Sequence, residues 1–115
     1  MTEAQLEHFR QMLLAMQETL QAGAKSRDDM GKTVELDQTR TGRLSRMDAL
    51  QAQAMARAGA QRAANQARRI TAALARIEAG TFGDCAACEE PIAEARLEAD
   101  PANPFCLDCA EARQG

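Results

Sequence analysis

The first part of the chain spaces its apolar side chains as a coiled coil does. They recur at alternating intervals of three and four residues, at Leu6, Phe9, Leu13, Met16 and Leu20. On a helix with 3.6 residues per turn, this spacing gathers the apolar side chains on one face, which a partner helix can cover. The pattern therefore predicts a long amphipathic helix that begins near the N-terminus.

A second stretch repeats the same intervals with smaller side chains, at Ala56, Ala60, Ala63, Ala67, Ile70, Leu74 and Ile77. Upstream of it, a helical face in a different register is formed by Leu44, Met47, Leu50 and Ala54. Such a change of register predicts a stutter in the coiled coil near residue 55. The two stretches together indicate a second, alanine-rich helix of similar length to the first.

A polar segment separates the two stretches. Residues 33–42 include two closely spaced threonines and end in Gly42, which is typical of a turn. Two helices of similar length that are joined by a short turn fold back on each other. We therefore expect an antiparallel coiled-coil hairpin over residues 1–79, with its tip at about residues 33–42.

The charge and the cysteine content of the chain change at Gly80, and glycine is a residue type that commonly ends helices. Residues 1–80 carry 12 Lys or Arg and nine Asp or Glu, a net charge of +3. Residues 81–115 carry two Lys or Arg and eight Asp or Glu, a net charge of −6, and they contain all four cysteines. We therefore expect a separate small domain at residues 80–115.

The composition narrows the fold class to mainly α. Among 115 residues, 25 are Ala, only 17 are Leu, Ile, Val or Phe, and Trp and Tyr are absent. A β-sandwich, a barrel or a doubly wound α/β domain needs more β-branched and aromatic positions. Because alanine is the best helix former, we expect a long antiparallel helical hairpin followed by the small cysteine-containing domain.

The four cysteines form two C-x-x-C pairs, Cys85 with Cys88 and Cys106 with Cys109, which 17 residues separate. Each pair can direct two sulfurs at one ion, and four thiolates make the tetrahedral set that Zn²⁺ favours. Disulfides and a redox dithiol are the alternatives, but the expected cytoplasmic location and the lack of a βαβ context disfavour them. We predict one structural zinc ion.

Other functional classes find less support in the sequence. No apolar stretch is long enough to span a membrane, and the polar, acidic N-terminus is unlike a signal peptide. A closed four-thiolate site leaves no position for a reacting water, and no nucleophile stands beside a base, so we do not expect an enzyme. The acidic charge of residues 81–115 argues against direct nucleic-acid binding, which requires basic side chains.

The cysteine segment resembles the zinc-finger signature of the DksA/TraR family. The resemblance rests on residues 80–88 (GTFGDCAAC), 91–92 (PI), 95–101 (ARLEADP) and 105–111 (FCLDCAE). It covers residues 80–111, whereas the hairpin resembles the family only in layout. The family comprises bacterial regulators that bind RNA polymerase rather than DNA.

The resemblance implies a regulator that enters the secondary channel of RNA polymerase with its hairpin and modulates transcription initiation. The zinc part would dock at the rim of the channel. Members of the family often act together with the alarmone ppGpp, which is therefore a second candidate partner. On this interpretation the polymerase-facing tip residues are Glu35, Asp37, Arg40 and Arg43.

The tip departs from the pattern of the best-known members, which carry Asp-x-x-Asp-x-Ala. Asp37 matches the second Asp, whereas Val34 and Thr39 replace the first Asp and the Ala. Three alternatives therefore stay open. The tip charges are only solvated, the chain is a zinc-finger adaptor that binds another protein through its coiled coil, or the finger binds nucleic acid after all.

Overall fold

A computed structural model shows a mainly helical protein, which confirms the predicted fold class. The structure describes the backbone of residues 1–41 and 46–114, and the side chains of residues 1–26 and 47–114. These ranges contain four helices: α1 (Glu3–Thr41), α2 (Arg46–Ala79), α3 (Glu94–Ala99) and α4 (Leu107–Gln114). In the same ranges, the β pairing is limited to one bridge between Asp84 and Pro91.

The chain forms two compact units. One combines Met1–Gln17 with Gln66–Gly115, and the other is Glu18–Asn65. The start of α1 and the end of α2 thus belong to one unit, as an antiparallel pair of helices requires. These units cut across the sequence-based division into residues 1–79 and 80–115, because the C-terminal segment packs with the ends of both long helices.

A capping box begins α1. The Thr2 hydroxyl accepts a hydrogen bond from the Gln5 backbone N–H at 3.1 Å, and the Gln5 side-chain oxygen accepts one from the Thr2 N–H at 2.9 Å. The two bonds satisfy backbone donors that the first turn of a helix leaves without partners.

The apolar face of α1 lies where the sequence pattern predicts it. Phe9 and Leu13 are buried, and Leu6, Met16 and Leu20 are half-buried. The intervals of three and four residues are thus confirmed as the packed face of this helix. Large side chains stand at these positions, so their spacing marks the packed face of the described part of α1.

The predicted turn at residues 33–42 is wrong as far as Thr41, because α1 continues to that residue. Val and Thr have only slightly lower helix propensity than the strong helix formers, and the segment contains no proline that would stop the helix. Gly42 is the first strong helix breaker in the segment. The side chains of residues 33–41 and the whole of residues 42–45 lie outside the part that the structure describes.

The predicted face of α2 is also partly wrong. Ala56, Ala60 and Ala67 are exposed. The other predicted positions, Ala63, Ile70, Leu74 and Ile77, are buried or half-buried. Burial extends from them to a neighbouring face that adds Gly59, Gln66 and Ala73. Alanines occur on every side of this helix, so their spacing alone does not distinguish one register from the next.

A Schellman motif ends α2. The Thr81 N–H donates to the Arg76 carbonyl at 3.0 Å, and the Gly80 N–H donates to the Ile77 carbonyl at 3.3 Å. Gly80 has a φ of +79°, the left-handed conformation that glycine adopts without steric cost. The helix end that the sequence predicts at Gly80 is therefore confirmed.

The two long helices contain 39 and 34 residues. A membrane crossing needs about 20 consecutive, mainly apolar residues. None of the helices in the described ranges combines the required length with the required apolar character.

Two adjacent leucines test the packed face of α1. Leu13 is fully buried and Leu14 is 37% exposed. We expect Leu13→Ala to lower the free energy of unfolding by about 2–5 kcal/mol, since it removes a buried side chain and leaves a cavity. We expect Leu14→Ala to lower it by about 1 kcal/mol or less. Urea denaturation monitored by circular dichroism measures both changes, and equal losses would contradict the assigned face.

Candidate metal centre

A tight hairpin positions the first cysteine pair. The Cys85 N–H donates to the Glu90 carbonyl at 2.8 Å, and the Glu89 N–H donates back to the Cys85 carbonyl at 2.9 Å. Glu89 has a φ of 66°, a left-handed conformation that side chains other than glycine rarely adopt. This reversal of the chain directs both sulfurs of the pair to the same side.

The start of α4 positions the second pair. Cys106 immediately precedes α4, and Cys109 lies in its first turn. The Ala110 N–H donates to the Cys106 carbonyl at 3.0 Å, so one helical turn sets the spacing of the two sulfurs. The Ala86 N–H donates to the Pro104 carbonyl at 2.8 Å, which ties the first pair to the segment that carries the second.

The structure brings the four predicted metal ligands together. The sulfurs of Cys85, Cys88, Cys106 and Cys109 all lie within 4.8 Å of one another. The Cys88 and Cys106 sulfurs are 3.7 Å apart. A tetrahedral site with Zn–S bonds of about 2.3 Å has sulfur–sulfur edges of about 3.8 Å, so the arrangement fits one zinc ion.

The pKa values of Cys85 and Cys109 are shifted in opposite directions. Burial raises the pKa of the Cys85 thiol, but backbone N–H groups, led by that of Cys106, outweigh it and lower the pKa to about 6. Hydrogen bonding with the sulfurs of Cys106, Cys88 and Cys85 raises the pKa of Cys109 to about 12. The site therefore accommodates one negative charge readily and needs a cation to hold four.

The cysteine segment contains a few buried apolar residues. Phe82, Ile92, Leu97 and Ala102 are buried together with Cys85. The Phe82 ring packs against the Phe9 ring of α1, with their centres 5.5 Å apart at a tilt of 46°. Tilted aromatic pairs at this distance contribute about 0.5–1.5 kcal/mol beyond the area that they bury. The start of α1 therefore forms part of the support of the metal centre.

Three polar contacts join the same segment to the long helices. The Gln5 amide donates to Glu94 at 3.1 Å, and an Arg69 guanidinium nitrogen donates to Asp100 at 2.7 Å. The His8 ring nitrogen lies 3.0 Å from a Glu98 oxygen. These contacts are at least partly exposed to solvent, so each adds at most about 1 kcal/mol.

Sequence reasoning did not identify these contacts. His8 and Arg69 resemble ordinary solvated helix residues in the sequence, and their acidic partners lie more than 30 residues away. The acidic excess of residues 81–115 was the one available signal that basic side chains elsewhere would pair with this segment.

The side chains of the predicted tip residues lie outside the part of the chain that the structure describes. Glu35, Asp37 and Arg40 lie on the helical backbone of α1, but their side chains fall outside the described part of the chain. Arg43 lies wholly outside it. Their role remains a prediction from the sequence.

Comparison with known proteins identifies the cysteine segment. Residues 80–115 match the family model of the prokaryotic dksA/traR C4-type zinc finger. This segment is a DksA/TraR zinc finger. The predicted resemblance and the predicted zinc ion are thereby confirmed, because the family's four-cysteine pattern coincides with four sulfurs that can bind one ion.

A curated relative shares part of the chain. An uncharacterised protein of Aquifex aeolicus (strain VF5) is 50% identical over 44 residues, which make up 38% of this chain. The match spans only 30% of the length of that relative.

Two solved structures resemble the chain over almost its whole length. The transcription factor DksA2 from Pseudomonas aeruginosa has a TM-score of 0.72 at 28% identity, covering 98% of this chain and 85% of that one. The RNA polymerase binding protein and transcriptional regulator Dks from Chlamydia trachomatis has a TM-score of 0.62 at 20% identity, covering 99% and 92%. At 20% identity, the second likeness shows the fold alone. The chain thus has a DksA-like fold, of which the DksA/TraR finger is a part.

Removal of the metal tests the dependence of the finger on zinc. We expect a strong chelator to release about one zinc ion per chain and to unfold α3 and α4, since so small a segment buries too little apolar area to fold alone. Zinc release can be followed with a colorimetric chelator and unfolding with limited proteolysis of residues 80–114. Restoration by added zinc is the control, and a finger that stays protected without metal would contradict the prediction.

The left-handed turn at Glu89 gives a second test. We expect Glu89→Gly to stabilise the zinc-loaded finger by about 1 kcal/mol, because glycine adopts a positive φ without the steric cost of a side chain. The matched control is Glu90→Gly, at a neighbouring exposed position outside the left-handed region, which should be destabilising by about 0.5–1 kcal/mol. Thermal denaturation of both variants measures the difference, and a loss of stability in Glu89→Gly would overturn the argument.

Proposed function

We propose that the protein is a DksA-like transcription regulator that binds bacterial RNA polymerase through the secondary channel and modulates transcription initiation. The observation that carries this proposal is the likeness to DksA2 over 98% of the chain at 28% identity, combined with the DksA/TraR finger at residues 80–115. The zinc ion has a structural role here, held by Cys85, Cys88, Cys106 and Cys109. The helices supply the polymerase-binding surface.

The charge of the finger supports binding to protein rather than to DNA. Residues 81–115 contain eight acidic and two basic side chains, and four thiolates around Zn²⁺ add a further net charge of −2. Both basic side chains are engaged within the finger: Arg96 donates to the Phe105 carbonyl at 3.0 Å, and Arg113 lies 4.2 Å from the Phe105 ring centre. Phosphate binding needs available cations, so sequence-specific DNA recognition by the finger is disfavoured.

The tip of the hairpin supplies the regulatory chemistry in this proposal. Asp37 and Glu35 would act near the catalytic centre of the polymerase, and Arg40 and Arg43 would pair with acidic groups of the channel or with the phosphates of ppGpp. These assignments rest on the sequence resemblance.

A second candidate is a zinc-finger adaptor that binds another protein through its coiled coil. The replacement of two family positions at the tip by Val34 and Thr39 favours it. An adaptor would bind its partner without changing the output of any promoter, which separates the two functions experimentally.

Binding to core RNA polymerase tests the proposed function. We expect the full chain to bind core polymerase and to be displaced by another secondary-channel factor, because both would occupy the same site. We expect Asp37→Asn to retain binding and to change transcript yield several-fold on a responsive promoter, with and without ppGpp. Asp29→Asn, outside the predicted tip, is the control.

Two results would count against the proposal. Binding that the competing factor does not displace would place the contact outside the secondary channel. An Asp37→Asn variant that binds as the wild type does and alters no promoter's output would favour the adaptor.

A further inference from the structure

One face of α2 is apolar and open to solvent. Met47 and Leu50 are 79% and 62% exposed, and Ala54 and Ala58 are exposed as well. Because successive helical residues are about 100° apart, these four positions form one continuous stripe. We name Met47, Leu50, Ala54 and Ala58 the outer stripe of α2.

The outer stripe is separate from the packed face of the helix. Gly59 and Ala63, which are half-buried, lie on nearly the opposite side of α2 at about 100° per residue. The sequence pattern of Met47, Leu50 and Ala54 suggested a stutter in the packed face, whereas the structure leaves these residues exposed. Packing against the described side chains of this chain therefore does not account for their apolar character.

The area of the outer stripe is too small for a stable pair of identical chains. Burial of Met47 and Leu50 would remove roughly 100 Å² of apolar surface from water per side chain. A stable interface buries about 800 Å² per partner. A groove that encloses the helix on several sides buries more surface than a flat contact with the same residues does. Helices that bind in grooves carry apolar anchor side chains three and four residues apart, as the outer stripe does.

The charges beside the outer stripe indicate the character of such a groove. Residues 49–56 contain no charged side chain, and the exposed Arg57 and Arg62 follow them. A matching groove has an apolar floor and an acidic edge at the end that meets these arginines.

We propose that the outer stripe of α2 docks in an apolar groove with an acidic edge on bacterial RNA polymerase. This inference rests on the proposed function and adds a specific contact to it. Met47 and Leu50 are the anchors, and Arg57 pairs with the acidic edge. The contact would hold the hairpin in position without taking part in the chemistry at its tip.

A double variant and a matched control test this contact. Met47→Gln combined with Leu50→Gln removes the anchors but keeps helix propensity nearly unchanged. The control is Met55→Gln, because Met55 is 69% exposed on the same helix but lies about 100° from the middle of the outer stripe. Circular dichroism establishes that all variants keep the helical content of the wild type.

We expect the double variant to raise the Kd for core polymerase about ten-fold or more, since anchors of this kind carry most of the affinity at an interface. The control should stay within about two-fold of the wild type. A double variant with wild-type affinity would overturn the docking contact and leave the proposed function intact. A wild-type chain that does not bind core polymerase would overturn both.

Sedimentation of the protein alone tests whether a second copy of the chain, rather than the polymerase, covers the outer stripe. Self-association of the wild type that the double variant abolishes would assign the outer stripe to a second copy of the chain and would overturn the polymerase contact. A monomer at all concentrations, together with weakened polymerase binding by the double variant, supports the proposal.

Discussion

The finger depends on the convergence of four cysteine sulfurs to within 4.8 Å of one another. Four thiolates at this separation repel one another unless a divalent cation balances their charge. The large apolar side chains that are buried in the finger are few, among them Phe82, Ile92 and Leu97. So small a core does not offset the entropy of ordering the segment. We therefore expect metal binding and folding of residues 80–114 to be one coupled equilibrium.

The same centre organises the ends of the two long helices. Phe82 packs on Phe9 of α1, and Asp100 pairs with Arg69 of α2. The packed face of α2 includes small residues such as Gly59, Ala63 and Ala73, which bury little area per residue, so the helix pair gains from the cover that the finger provides. Loss of zinc should consequently weaken this end of the hairpin as well as the finger. Three of the acidic residues of the finger, Glu94, Glu98 and Asp100, make such contacts with the long helices.

The two long helices differ in how well their sequences specify packing. Large side chains such as Phe9 and Leu13 stand out on α1, and their spacing predicted the buried face correctly. On α2, alanines occupy all sides, and the predicted positions Ala56, Ala60 and Ala67 are exposed, whereas the larger Ile70, Leu74 and Ile77 are buried or half-buried as predicted. Hydrophobic periodicity is informative only where the apolar faces of a helix differ in size, because burial free energy scales with area.

The sequence by itself determined the fold class, the helix end at Gly80 and the metal ligands, because each depends on local spacing and residue chemistry. Only the tertiary structure decided which face of α2 is buried, and that Phe9, His8 and Arg69 support the finger. Those features depend on contacts between residues far apart in the chain, whose free energies no local pattern records. The apolar residues Met47 and Leu50 illustrate the difference, since the pattern marks them as a helical face and only the fold shows that this face is exposed.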